Sequence, residues 1–246
     1  VILIVCWRNL GFMHSFFSKF KYIFPLCRGY SIPISIMSCI VPLIYALFNN
    51  GNFYNGIIAM FGVVILHLAT NLFDDIIDYI REKKQIHLGL KSDFNFQSGK
   101  CILIRNNTFT INEVFCICCF LFFISLLIGL YFLFTCGSSL LYIIIPTIFI
   151  CLLYPLLGCL GLGEVLVAIV FSPLIYSGIY YVMTQTFSLD ILILSVSTGL
   201  FAVAVLHNHM LLDYKYDKTN RKITLCRVCG GEKEALNLLI FILTLS

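Results

Sequence analysis

Residues 56–78 read GIIAMFGVVILHLATNLFDDIID, a long apolar run that ends in a cluster of carboxylates. A membrane-spanning helix needs about 20 mostly apolar residues, and 56–77 supplies them. Stretches near 30–48, 112–134, 139–157, 163–184 and 189–212 have the same character. A partial span starts at 235 and reaches Ser246 while still too short to cross, which predicts that a C-terminal part is missing. Residues 10–27 mix aromatic side chains with Lys19 and Lys21, the pattern of a helix lying on a membrane surface. The expected fold is an all-α integral membrane protein. It is one transmembrane domain over 1–246, with a cytoplasmic, interfacial N-terminus over 1–29.

Composition agrees. Hydrophobic residues make up 60% of the chain and charged residues 11%, against about 25% charged in soluble domains. A soluble globule of this size could not hide that much apolar surface, whereas a bilayer accepts it as solvent. The net charge of +4 does not indicate nucleic acid, because no stripe of Lys and Arg interleaved with aromatics is present. The 12 cysteines form no disulfide framework. Cys39, Cys116, Cys118, Cys119 and Cys151 lie in apolar runs, where Cys acts as a small hydrophobe. Cys226 and Cys229 form one CxxC with no second pair nearby, and are read as incidental cysteines of a polar loop rather than a zinc or redox site. No secretory signal peptide is visible.

The basic residues set the orientation. Arg8, Lys19, Lys21 and Arg28 precede the first span. Arg81, Lys83, Lys84, Lys91, Lys100 and Arg105 follow the second, and Lys215, Lys218, Arg221, Lys222, Arg227 and Lys233 follow the sixth. These are all 16 basic residues of the chain, and all fall on one side of the expected topology. The loops at 49–55, 135–138 and 185–188 hold none. By the positive-inside rule the long loops at 79–111 and 213–234 face the cytoplasm. The chain is thus expected to be a multi-pass protein of the inner (cytoplasmic) membrane, with chemistry on the cytoplasmic side, because the other connections are short turns.

Both long loops begin at acidic helix ends. Asn71, Asp75 and Asp78 are spaced by four and three, which puts them on one helix face, with Asp74 to the side. Asp213 and Asp217 are also four apart, and Asn208 lies upstream inside the span. Two carboxylates about 4 Å apart, at an effective dielectric near 20, repel by about 4 kcal/mol, and ionisation costs more near a membrane. Solvated helix ends would account for one such acid. Two spaced clusters, in a chain with only 12 acids, call for a cationic partner, and hard divalent cations take the oxygen ligands that Asn and Asp provide. Acidic faces followed by basic loops suit a diphosphate held through Mg2+. A cation transporter is the competing reading, but its acids should sit near the bilayer midplane on broken helices, not at helix ends beside basic loops. A purely structural membrane protein leaves the paired acidic faces unexplained.

These residues resemble the UbiA-type membrane prenyltransferases. Asn71-x3-Asp75-x2-Asp78 is similar to the first Asp-rich motif of that family, and Asp213-x3-Asp217 with Lys222-Ile223-Thr224 is similar to the second. Arg28 to Pro33, Ser98 to Leu103, Gly161 to Glu164 and Ser172 to Tyr181 resemble further family stretches in the right order. Within the family the likeness is to 1,4-dihydroxy-2-naphthoate polyprenyltransferases of menaquinone biosynthesis. The resemblance implies a multi-helix bundle with more helices than the chain displays, Mg2+ as cofactor, and a polyprenyl diphosphate and an aromatic acceptor as substrates. It further implies that Asn71, Asp75, Asp78, Asp213 and Asp217 hold the metal, with the four Asp residues catalytic. Asn71, Asn208, Lys100, Arg221 and Lys222 would bind substrate, and the prenyl tail would lie among the spans, open to membrane lipid. Other acceptors, among them 4-hydroxybenzoate, a haem, a chlorin or a glycerol phosphate, stay open. His67, His207, His209 and Glu164 are read first as packing, hydrogen-bonding or helix-start residues, and so are Tyr176, Tyr180 and Tyr181.

Overall fold

The computed structural model describes residues 19–90, 101–219 and 223–246, apart from the side chains of 215, 216 and 219. Six helices among the described residues are long and apolar enough to cross a membrane. They are α1 (Ile32–Phe48, spanning together with the 3-10 turn before it as Gly29–Phe48), α2 (Phe53–His87), α3 (Ile111–Cys136), α4 (Leu141–Leu157, spanning with its 3-10 turn as Ser138–Leu157), α5 (Gly163–Thr184) and α6 (Leu189–Leu212), and α7 (Glu232–Leu245) comes after them. α2 packs on α1, α3, α4 and α5, while α6 packs on α5 and α7.

Local chemistry sets where the helices begin. Asn52 caps α2 by accepting from the amides of Tyr54 (3.0 Å) and Asn55 (3.3 Å). Thr110 and Glu113 form a reciprocal capping box at the start of α3. Ser188 caps α6 through the Asp190 amide at 3.2 Å. Each side chain satisfies donors that a helix start leaves open, which matters most where little water is at hand. α5 is interrupted by a π turn over Val170–Leu174 that contains Pro173, whose ring removes a backbone donor. There α5 approaches α6 closely: Ser172 Oγ lies 2.7 Å from Ser195 Oγ, and a Cβ on Gly199 would fall 2.6 Å from Ser172 Cβ.

Large apolar side chains such as Phe61, Phe120, Phe123, Phe134 and Phe149 point outward, as a lipid-facing surface requires. The main core joins α1, α3, α4, α5 and α6 around Tyr176, Ile179, Tyr180 and Tyr181. The tyrosines expected to pack do so, and Tyr176 bonds Thr198 through its hydroxyl.

One expectation needs correction. The second helix does not stop at residue 77 but runs on to His87. Its last turns keep an inward face, with Asp78 and Glu82 buried. Glu82 is met there by Arg105 from the far side of the loop, so residues 79–87 of what reads locally as a polar loop are helix. Of the expected surface helix over 10–27, the described part includes the short helix Ile23–Leu26, with Phe20, Tyr22 and Phe24 exposed. Residues 1–18 lie outside the described residues, and residues 19–31 form short turns that bury Leu26 and Cys27 against Leu72, Ile76 and Val114.

Contacts sort the helix ends into two groups. At one end, Asn52 N bonds Met183 O, Asn55 Nδ2 bonds Val182 O, Tyr181 bonds Cys136 O, and Tyr45 bonds Asp190. At the other, Lys19 pairs with Glu113, Arg28 with Asp75, Arg81 with Cys159, and the Ile223 amide with Cys159 O. Among the described residues, the second end carries the basic side chains Lys19, Arg28 and Arg81 and both acidic helix ends.

Candidate active site

The site is built on the last turns of α2. Asp74, Asp75 and Asp78 are all buried, and three close carboxylates cannot stay charged in such a place without cations near them. Arg28 is one of those cations. It sits in a left-handed turn, φ 54°, just before the 3-10 turn Gly29–Ser31 that leads into α1. Its guanidinium donates to the Asp75 carboxylate and, at 3.2 Å, to Asp74. Burial works against the Arg28 charge, but Asp75 and Asp74 outweigh it and hold the guanidinium above its ordinary pKa. Arg81 stands 3.8 Å from Asp78 and also reaches the Cys159 sulfur.

Asn71 joins the same cluster. Its Nδ2 donates to Ser31 Oγ at 3.0 Å, and Ser31 in turn donates to the Arg28 carbonyl at 2.8 Å. That bond uses one of the two amide N–H groups of Asn71, and its carbonyl oxygen is the atom of an Asn that ligates a hard cation. Cys101 donates to the Asp75 carbonyl at 3.1 Å. Burial, and then the charges of Asp75 and Asp78, push the Cys101 thiol well above the usual thiol range. Cys27 is likewise raised, to about 11, by burial and by Asp75. Beneath this layer Arg105 donates to Glu82 at 2.6 Å, both buried.

The second acidic end belongs to the close of α6. Asp213 is partly buried at its C-terminus, and Asp217, on the short helix Tyr214–Thr219, is 1% exposed. Tyr30, on the turn that follows Arg28, faces His209 of α6, with ring centroids 6.3 Å apart. Tyr30 is two residues from Arg28, and His209 is one turn before Asp213. Asn208, expected to bind substrate, is exposed on α6. Lys100, Arg221 and Lys222 lie outside the described residues. His67 pairs with Ser35 and packs edge-on against Phe171 of the π turn.

Sequence reasoning placed the carboxylates but missed the role of Arg28, whose partner stands 47 residues away. It also missed a buried group of Glu164, His207 and Cys226. Each of those residues looks ordinary in its own segment, and only the fold brings them together.

All the candidate metal ligands in the two acidic ends offer oxygen, and four of the five are carboxylates. That donor set fits a hard divalent cation such as Mg2+ rather than a thiophilic one.

Residues 35–246 match the UbiA prenyltransferase family. No curated protein matches the chain in sequence. Among solved structures the fold is similar to that of a UbiA homolog from Archaeoglobus fulgidus bound to DMAPP and Mg2+, with a TM-score of 0.65, 13% identity, and coverage of 89% of this chain and 73% of that one. It is also similar to a structure of digeranylgeranylglyceryl phosphate synthase, with a TM-score of 0.61, 16% identity, and coverage of 93% and 75%.

Proposed function

The chain belongs to the UbiA prenyltransferase family, and from that premise we propose that it transfers a polyprenyl group from a polyprenyl diphosphate to an aromatic acceptor, 1,4-dihydroxy-2-naphthoate of menaquinone biosynthesis. The observation that supports the reading is that Tyr30, two residues from the Arg28 that pairs with Asp75, comes to His209, one turn before Asp213, with ring centroids 6.3 Å apart. A diphosphate bound between the two acidic helix ends would face carboxylates from both α2 and the close of α6.

In this reading Asn71, Asp75 and Asp78 on one side, and Asp213 and Asp217 on the other, hold Mg2+ with the donor diphosphate. When bound, Mg2+ supplies positive charge to the diphosphate oxygens as the leaving group gains negative charge. Arg28 positions Asp75 and Asp74 and adds a fixed positive charge beside them. Lys100, Arg221 and Lys222 take up the remaining charge of the leaving diphosphate, and Asn208 contributes to substrate binding. Such groups lower the barrier because they stand ready where charge develops. The allylic C–O bond breaks with its electron pair leaving on the diphosphate, and an electron-rich aromatic carbon bonds to the allylic cation. With dihydroxynaphthoate, the carboxylate on that carbon then leaves as carbon dioxide. The prenyl tail lies among the spans in contact with lipid, and the site faces the cytoplasm, in accord with the one-sided distribution of basic residues.

The test is to incubate membranes containing the protein with Mg2+, a labelled polyprenyl diphosphate and a panel of acceptors. The panel holds dihydroxynaphthoate, 4-hydroxybenzoate and a prenylated glycerol phosphate, and the lipid product is identified by mass. A prenylated, decarboxylated naphthoquinol is the expected product. A product from another acceptor alone would keep the reaction and overturn the assignment to menaquinone synthesis.

A further inference from the structure

We propose that Glu164, His207 and Cys226 bind one thiophilic divalent metal ion of the Zn2+ class, separate from the acidic site, which ties the second polar loop to the bundle. The three come from the first turn of α5, from α6, and from the short helix Leu225–Val228 that ends that loop. They are 3%, 0% and 0% exposed, and one ligand atom from each lies within 4.8 Å of the others.

The spacing suits coordination. Tetrahedral Zn2+ with bonds of about 2.0–2.3 Å places neighbouring ligand atoms about 3.3–3.8 Å apart. His207 Nδ1 is 3.2 Å from Glu164 Oε1, and the Cys226 sulfur is 3.7 Å from each of the two ring nitrogens. The far side of the imidazole agrees. His207 Nε2 lies 3.0 Å from the Ala235 carbonyl, which can only accept, so Nε2 carries the proton. In the neutral ring, Nδ1 then aims a lone pair at a carboxylate oxygen. Two acceptors at that distance need a cation or a proton between them. An imidazole that donates its outer N–H to a carbonyl while its other nitrogen faces anionic ligands is the usual arrangement at a metal.

A second observation points the same way. Glu164 Oε2 is buried and has no hydrogen-bond partner among the described residues. Leaving such an atom unsatisfied costs about 1–3 kcal/mol, more if it is charged, and a coordinated ion removes that cost. One sulfur, one nitrogen and one carboxylate suit Zn2+ far better than Mg2+. Binding would release the Cys226 proton. It would also hold Cys226 and the nearby Ile223, whose amide bonds the Cys159 carbonyl, against α5 and α6. Metal binding at these three residues is independent of prenyl transfer at the acidic site.

The protein, purified in detergent, is loaded with Zn2+, freed of loose metal by gel filtration, and its zinc measured by mass spectrometry. A parallel sample is loaded with Co2+ and its absorption recorded. About one zinc per chain and a thiolate-to-cobalt charge-transfer band are expected. Cys226→Ser should lose the band, and Glu164→Gln should weaken zinc binding by about tenfold or more, since even indirect partners of a metal ligand cost that much. Cys229→Ser and Asp75→Ala should both retain the zinc, which separates this site from the acidic one. Less than about a tenth of a zinc per chain, or a band that survives Cys226→Ser, overturns the proposal. If Cys226→Ser does not accumulate, the zinc content of the wild type and of Glu164→Gln decides.

Discussion

Arg28 and Asp75 form an ion pair that fastens the turn before the first spanning helix to the acidic end of the second. Asp74 shares the same guanidinium at 3.2 Å. The pair closes a loop of chain that contains all of α1, so it sets both the electrostatics of the site and the place of one wall. Asn71 and Ser31 repeat the link one layer away.

Replacing Arg28 by Gln should therefore harm both stability and chemistry. Breaking a buried ion pair by removing one partner costs about 3–5 kcal/mol, and the residual exposure of Arg28 puts the expectation at the lower end. The thermal midpoint of the detergent-solubilised protein should fall, and Arg28→Gln combined with Asp74→Asn should recover part of the loss. An unchanged midpoint in the single variant would show that the pair does not fasten α1 to α2.

Arg105 and Glu82 are 0% and 2% exposed with 2.6 Å between them. Arg105→Met alone should destabilise by about 3–5 kcal/mol, whereas Arg105→Met with Glu82→Leu should return close to the wild type, because a buried ion pair can be exchanged for apolar packing at little net cost. The double-mutant cycle checks this. Strict additivity of the two single effects would contradict the pairing.

Cys27, raised to about 11, and Cys101, pushed well above the usual thiol range, should be unreactive thiols. The thiolate is the nucleophile. At pH 8 a thiol with a pKa near 11 is about one part in a thousand ionised. Iodoacetamide followed by peptide mapping should leave both unmodified in the folded protein and modify both after denaturation. The same shift acts on stability. The unfolded thiols ionise from their ordinary values upward while the folded ones keep their protons, so stability falls as pH rises from about 9 towards 11. Ready alkylation of folded Cys27 at pH 8 would contradict its burial.

The spans were legible because lipid imposes a simple rule, a long apolar run, and 30–48 or 189–212 can be read without knowing any contact. Asp75, Asp78, Asp213 and Asp217 were legible because acids at the end of an apolar run are costly and need a reason. Arg28 was not, since its partner is 47 residues away and nothing in Arg28-Gly29-Tyr30 states which helix end it faces. The extension of α2 to His87 was hidden for the same reason: Glu82 reads as solvated until Arg105 is found 23 residues later. Glu164, His207 and Cys226 were dismissed one at a time, because a lone buried histidine or cysteine is usually packing, and only their convergence changes that. Lys100, Arg221 and Lys222 lie outside the described residues and rest on sequence alone.

The most direct measurement is prenyl transfer by membranes carrying wild-type protein, Asp75→Ala or Asp217→Ala at equal levels of inserted protein, each with Mg2+ and with EDTA. Transfer by the wild type should require Mg2+ and should fall by at least about 100-fold in either variant, the scale lost when one preorganised charge-stabilising group is removed. Wild-type rates in Asp75→Ala or Asp217→Ala, or full transfer in EDTA, would contradict a metal-diphosphate site shared by the ends of α2 and α6.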